Sequence, residues 1–271
     1  MNRRRIDRST IRAFLLRITS DYTKLADKYD VRVTSPQTLD WLLDIPLDAA
    51  AWLYAFLVGV YVPIAATRTR KRLAASGQPI GPTFRRSAAL MHVCFLAFGF
   101  FVATTHGVRT LPLPARVDLW LYVIPAIALG ETLRWIAWTT TPVEQRRTLW
   151  VRQILPSSAE LPAWIALTCL ASISEEITYR GLLFAILSTA TGSVLVGTLL
   201  TAISFGAAHA PQGLKGAITI AVLSLMLQAL VILTGSLVPA MVVHAIANII
   251  AGVRGPKRFR DLDASATHAV S

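Results

Sequence analysis

Three short stretches of this sequence carry side chains whose types and spacing could do chemistry. They are Glu175, Glu176 and Arg180 in the first stretch, His209 in the second, and His244 with Asn248 in the third. All three lie in otherwise apolar runs. Ionisable side chains at membrane depth cost at least about 2.5–3.5 kcal/mol each, so they usually mark a site. Because lipid offers polar groups no partners, we expect the three stretches to converge in one pocket.

The spacing within the first stretch divides the roles of its two carboxylates. Arg180 follows Glu176 by four residues, which places them on one helix face in the favourable order for an ion pair. Glu175 points about 100° away from Glu176 on an α-helix. We therefore predict that Arg180 holds Glu176 and that Glu175 faces a cavity. Taken alone, the stretch also fits a structural ion pair at a helix end.

A carboxylate, two imidazoles and a carboxamide are the groups needed to activate water. Glu175 can act as the general base. His209 and His244 can orient the water directly, or can bind a divalent metal such as zinc that acidifies it. Asn248 can donate a hydrogen bond to the developing oxyanion. By itself, His209 also fits a hydrogen-bonded histidine near the end of a membrane helix.

The composition is that of a membrane protein. Of the 271 residues, 54% are hydrophobic and only 15% are charged, whereas a typical soluble domain has about 25% charged residues. The net charge of +12 comes from basic residues in the terminal segments and between the apolar runs. This distribution is typical of cytoplasmic loops and not of a nucleic-acid-binding face, so we expect no nucleic-acid partner.

Seven apolar runs predict an all-α, polytopic transmembrane helix bundle of about seven or eight spans, with a polar catalytic cavity between the motif-bearing helices. The runs cover residues 49–66, 87–105, 117–138, 161–188, 193–210, 217–234 and 236–253. The basic loops and the C-terminus are expected in the cytoplasm of a cell-membrane protein. An additional membrane segment near residues 39–48 would also put the N-terminus there.

The membrane domain is therefore predicted at residues 49–253. The basic segment at 1–48 precedes it and could hold an interfacial helix. Residues 254–271 are predicted to form a short, basic, disordered tail.

The three stretches resemble the EExxxR, FxxxH and HxxxN motifs of the CPBP intramembrane proteases. The matching residues are Glu175-Glu176-Ile177-Thr178-Tyr179-Arg180, Phe205-Gly206-Ala207-Ala208-His209 and His244-Ala245-Ile246-Ala247-Asn248. This family includes the type 2, Rce1-type CAAX prenyl proteases and the bacterial Abi-like membrane proteins. The resemblance covers about residues 160–252, and the compact, Arg- and Ala-rich chain is similar to the bacterial members.

The resemblance implies an all-helical membrane domain in which the motif helices line a water-filled cavity. It implies that Glu175 activates water and that His209 helps to hold that water. His244 and Asn248 would complete the site and stabilise the oxyanion. The remaining motif residues, with a supporting role, are Glu176 and Arg180.

The resemblance leaves the cofactor open. The family is often described as metalloproteases, but a metal-free glutamate mechanism has also been proposed for it. If a metal is bound, the expected ligands are His209 and His244. The sequence lacks the HExxH helix that is typical of zinc proteases.

We therefore predict an integral-membrane endopeptidase that acts on a membrane or membrane-proximal protein or peptide. Two other functions fit the buried Glu and His residues: a proton-coupled transporter, and a non-catalytic scaffold or immunity-type protein. A transporter would tolerate Asn248→Ala better than a hydrolase, and a scaffold would be expected to have lost Glu175 or His209. A second charged pair, Glu131 and Arg134, is predicted to be structural, with lining of the substrate path as the alternative.

Overall fold

Most of the residues that the structure describes are helical, and no strand occurs among them. The structure is a computed structural model, and it describes residues 45–76, 82–108, 117–147 and 155–268. The prediction of an all-α bundle is confirmed. The predicted interfacial helix within residues 1–48 and the predicted membrane segment near 39–48 fall almost entirely outside the described residues.

The α-helices are numbered here in chain order. They are α1 (Ala49–Phe56), α2 (Val62–Ser76), α3 (Pro82–Thr105), α4 (Val123–Thr139), α5 (Val143–Arg147), α6 (Leu161–Glu175), α7 (Phe184–Thr191), α8 (Val194–Ala208), α9 (Leu214–Thr234) and α10 (Val238–His268). A first π-helical segment, Leu57–Tyr61, joins α1 to α2, and a second, Glu176–Leu183, joins α6 to α7.

Four of these helical stretches are long and apolar enough to cross a membrane. They are Ala49–Thr69, Arg85–Thr105, Leu214–Thr234 and Val238–Ala264. Helices α4 and α8 are also apolar but have only 17 and 15 residues. The chain is thus a membrane protein with a polytopic helix bundle, although its apolar runs differ in length more than the predicted set of seven spans implies.

The boundary between α9 and α10 lies where it was predicted, but the end of α10 does not. As predicted, Gly235 separates them: it ends α9 with φ 64°, a left-handed conformation that suits glycine. Helix α10 then continues to His268, through most of the segment predicted as a disordered tail. The reason is that Phe259 and Leu262 are buried at helical spacing, and Phe259 packs edge-on against the ring of Trp138.

The second π segment lies at the centre of the bundle. All eight of its residues are buried. It contacts α3, α8, α9 and the first π segment, while α10 packs along α6 and α4. The helices that carry the three motifs are therefore neighbours around this segment.

Candidate active site

The boundary between α6 and the second π segment falls between the two motif carboxylates. Glu175 is the last residue of α6, and Glu176 is the first residue of the π segment. The turn is wide: at its end, the Phe184 N–H donates to the carbonyl of Tyr179, five residues earlier. The α-helical rotation assumed from the sequence therefore does not continue beyond Glu175.

Glu176 and Arg180 form the predicted pair. The Arg180 Nη1 lies 3.2 Å from the Glu176 Oε1, and both side chains are fully buried. The Arg180 guanidinium also lies over the ring of Phe205, 4.1 Å from its centroid. Such a stacked contact is favourable for a desolvated cation. The first residue of the second motif thus packs against the last residue of the first.

His244 joins the two glutamates. Its Nδ1 lies 2.7 Å from the Glu176 Oε1. A carboxylate accepts in such a bond, so Nδ1–H is the donor and the neutral ring has a lone pair on Nε2. That Nε2 lies 3.7 Å from the Glu175 Oε2. Glu176 therefore orients the imidazole whose other nitrogen faces Glu175.

His209 stands at the end of α8, where Pro211 follows and prevents the helix from continuing. Its Nδ1 lies 2.8 Å from the carbonyl of Phe205. Because a carbonyl only accepts, Nδ1–H donates here too, and Nε2 is free to accept. His209 lies within electrostatic range of Glu175. The second histidine of the predicted site is thus held in the same tautomer as His244.

Asn248 lies one helical turn beyond His244 and contacts Arg134 on α4. The Arg134 Nη2 donates to the Asn248 Oδ1 at 3.4 Å, and its Nη1 donates to the Ala247 carbonyl. Arginine has no acceptor, so the amide oxygen must face Arg134 and the amide NH₂ is left as a donor. The predicted Glu131–Arg134 pair is present at 3.3 Å.

Glu131 and Arg134 also border a cavity of about 120 Å³ beside α10. The structure therefore links this charged pair both to a motif residue and to an open cavity. The contact with the motif residue was not part of the sequence prediction.

Residues 157–250 match the family model described as "Type II CAAX prenyl endopeptidase Rce1-like". The match covers about a third of the chain, and the matched residues are called the Rce1-like segment here. This segment contains α6 to α9, the first part of α10 with the whole third motif, and every predicted site residue. The family resemblance seen in the sequence is thereby confirmed. No curated protein and no solved structure matches the chain.

His92 also reaches the site from outside the Rce1-like segment, and it was missed from the sequence. His92, on α3, has its Nε2 3.9 Å from the Glu175 Oε1. Its Nδ1 lies 2.7 Å from the Ser174 Oγ, and its side chain is 8% exposed. A lone histidine in an apolar run carries no motif and no spacing, so the only available signal was the high cost of an unpartnered polar group there.

The predicted metal ligands, His209 and His244, form a metal site only if further ligands lie close to them. Protein zinc sites use three or four His, Cys or carboxylate ligands. Across the four described ranges, no group of three or more such side chains is arranged to hold one metal ion. His209 and His244 each donate Nδ1–H to a group within the protein, which leaves Nε2 of each ring able to coordinate a metal. Two imidazoles are fewer ligands than a zinc site needs, so the described residues do not form a recognisable metal site.

Proposed function

We propose that this chain is an intramembrane endopeptidase in which Glu175 activates water for attack on a peptide bond. The observation that carries the proposal is the difference between the two carboxylates. Glu176 is neutralised by Arg180 and bonded to His244, whereas Glu175 faces imidazole Nε2 atoms without a direct bond. The match to a family of prenyl endopeptidases supports peptide-bond hydrolysis.

In the proposed reaction, a water molecule binds between Glu175 and the bare Nε2 of His209. Glu175 takes one proton from the water while the water oxygen attacks the carbonyl carbon of the substrate. The NH₂ group of Asn248 is free to donate to the oxyanion that forms, because its amide oxygen is taken by Arg134.

His244 handles the proton in the second half of the reaction. It can accept the proton from Glu175 through Nε2 and pass it to the leaving amine as the C–N bond breaks. The buried Glu176 would stabilise the imidazolium that forms in between, because the carboxylate already accepts from Nδ1–H. Glu176 and Arg180 thus support the reaction without touching the substrate.

Hydrolysis is tested by comparing the protein termini in membranes that contain wild type, Glu175→Gln or Glu144→Gln. Glu144→Gln is the matched control, since it makes the same chemical change at an exposed position outside the site. We expect new termini with wild type and with the control, at rates reduced by about 10²–10⁴-fold in Glu175→Gln. Identical termini in wild type and Glu175→Gln would contradict the proposal and favour the scaffold alternative.

The same comparison reports the substrate. Each new terminus gives the sequence on one side of the cleaved bond, so prenylated and unprenylated proteins are distinguished directly. A membrane or membrane-proximal protein is the substrate class that we propose.

The metal-free route has a separate test. Protein purified without chelator is analysed for bound zinc, with His209→Ala as the comparison. We expect no stoichiometric zinc in either protein. Zinc that is present in wild type and lost in His209→Ala would contradict this route.

We also propose that the chain lies in the cell membrane with its C-terminus in the cytoplasm. The support is the concentration of basic residues in the second half of α10, namely Arg254, Lys257, Arg258 and Arg260. A fluorescent protein fused after residue 271 should fluoresce, and alkaline phosphatase fused there should be inactive. The reverse pair of results would contradict this orientation.

A further inference from the structure

We propose that His92 is a positioning residue for Glu175, supplied by a helix outside the Rce1-like segment. The inference rests on the proposed function, because it assigns a role in the reaction that Glu175 performs. His92 is brought to the site by α3, which packs directly on α6 and on the second π segment.

The tautomer of His92 follows from its contact with Ser174. The Ser174 hydroxyl donates its single hydrogen to the carbonyl of Ala171, at 3.0 Å. It can therefore only accept from His92, so the His92 Nδ1 must carry the proton at the 2.7 Å contact. The neutral ring then presents a bare Nε2 to the Glu175 Oε1.

The two oxygens of Glu175 each face one imidazole. The His92 Nε2 lies 3.9 Å from Oε1, and the His244 Nε2 lies 3.7 Å from Oε2. Each oxygen of the carboxylate therefore has its own imidazole, and each imidazole is fixed by a bond at its opposite nitrogen. Two fixed neighbours on opposite sides restrict rotation of the carboxylate plane.

Packing alone does not explain a histidine at this buried position. The ring is almost fully buried in an apolar bundle. Burial of a polar group is unfavourable unless it finds partners, and an apolar side chain of similar size would avoid this cost. Ser174 accepts from Nδ1–H, and the bare Nε2 faces Glu175, which can donate to it once Glu175 has taken a proton from water. The position thus serves the carboxylate, and Ser174 anchors the ring that does so.

The test measures initial rates of terminus formation in membranes for His92→Asn and His92→Ala. Asn can still donate to Ser174 but has no group at the Nε2 position. We expect rates up to about 100-fold below wild type in both variants, as for a small misplacement of a catalytic group. Added imidazole should restore part of the rate of His92→Ala, which a structural role would not predict.

His106→Asn is the matched control, because this histidine lies just beyond the other end of α3, about 21 Å away along a helix axis. It pairs with Asp48 at 3.1 Å, away from the site. We expect it to leave the rate of terminus formation near the wild-type value. A rate in His92→Asn equal to that of the control would overturn the proposal.

A second readout separates this proposal from the proposed function. In protein with ¹⁵N-labelled histidine, Glu175→Gln should shift the Nε2 resonance of His92, and Glu131→Gln should leave it unchanged. An unshifted His92 resonance together with lost cleavage in Glu175→Gln would overturn the positioning role alone. Unchanged cleavage in Glu175→Gln would overturn the proposed function and, with it, the positioning role.

Discussion

Glu176 joins the buried arginine of the site to one of its histidines. Its Oε1 is shared by Arg180 and by the Nδ1–H of His244. The same carboxylate therefore neutralises a fully buried guanidinium and selects the tautomer of an imidazole that faces Glu175. We therefore predict that stability and the proposed catalysis both depend on this side chain, and that substitutions can separate the two.

We predict that Glu176→Gln lowers the free energy of unfolding by about 3–5 kcal/mol, because it leaves the buried charge of Arg180 without its counter-ion. It should also reduce cleavage, because the amide no longer stabilises a charged His244. Unfolding is measured in detergent by tryptophan fluorescence, and cleavage by the comparison of protein termini.

The double variant Glu176→Gln, Arg180→Met is the control for this prediction. An apolar side chain in place of the guanidinium removes the unpaired charge, so most of the stability should return. Cleavage should stay low, because His244 still lacks its carboxylate. A double variant that regains both properties would show that Glu176 acts through the fold alone.

At the scale of residues, the sequence was informative wherever two polar groups had a helical spacing. The Glu176–Arg180 and Glu131–Arg134 pairs follow from separations of four and three residues, and the structure contains both. The contacts of His92 with Ser174 and of Arg134 with Asn248 join residues 82 and 114 positions apart. No local pattern encodes such contacts, because they arise from the packing of α3 and α4 on the motif helices.

At the scale of elements, the first π segment supplies backbone carbonyls to a hydroxyl of a neighbouring helix. Within the first π segment, the carbonyls of Val58 and Gly59 lie 3.4 and 3.2 Å from the Ser204 hydroxyl. Ser204 is on α8, one residue before Phe205 of the second motif. The first predicted span is thereby bonded to the helix that ends in His209.

Helix α8 packs closely on α9 at Gly206. A Cβ at this position would meet the Ala217 carbonyl oxygen and the Ala221 Cβ, each at 2.8 Å. Backbone and short side chains cannot move aside, so we predict that Gly206→Ala costs about 1–3 kcal/mol of stability. Cleavage should fall as well, since α8 carries His209. Thermal unfolding in detergent and the terminus comparison measure the two effects.

Gly130→Ala is the matched control, because its Cβ would face the same helix. The nearest atoms there are the ends of Leu223 and Met226, both at 3.6 Å, which is ordinary contact. We expect stability and cleavage near the wild-type values. Equal losses in the two variants would contradict the assignment of the close contact to Gly206.

The apolar runs predicted the helices better than they predicted their geometry. Each run of the sequence corresponds to a helical stretch, and the break at Gly235 is where it was expected. The π segments were not foreseen, because a count of apolar positions assumes 3.6 residues per turn throughout. The length of α10 was underestimated, because charged residues on its exposed face concealed the buried Phe259 and Leu262.

At the scale of the whole molecule, an ion pair at the protein surface ties the N-terminal helices to the Rce1-like segment. Arg85, in the first turns of α3, donates to the carboxylate of Glu160, just before α6. This bond, with further bonds from Ser157, lowers the pKa of Glu160 from 4.5 to about 2. The contact thus joins α3, which lies outside the Rce1-like segment, to the residues at the start of that segment.

We predict a pH-dependent stability difference between wild type and Glu160→Gln. A carboxyl whose pKa is lowered by folding stabilises the folded state above its unfolded value of 4.5, and this stabilisation is lost as the pH falls toward 2. Thermal unfolding in detergent should therefore favour wild type near pH 7, and the difference should vanish near pH 2. A difference that is constant over this range would contradict the prediction.

The second π segment has a consequence for how the two glutamates differ. A π-helical turn contains one residue more than an α-helical turn would contain. The segment therefore resembles an α-helix into which one residue has been inserted. Deletion of Thr178 would let Leu161–Thr191 close as a uniform α-helix. It would also place Glu175, instead of Glu176, four residues before Arg180.

The arginine would then neutralise the carboxylate that we propose as the base. We expect the shortened chain to keep its helical circular dichroism and to lose cleavage. One additional residue in a turn would thus decide which member of an identical pair is left free to react.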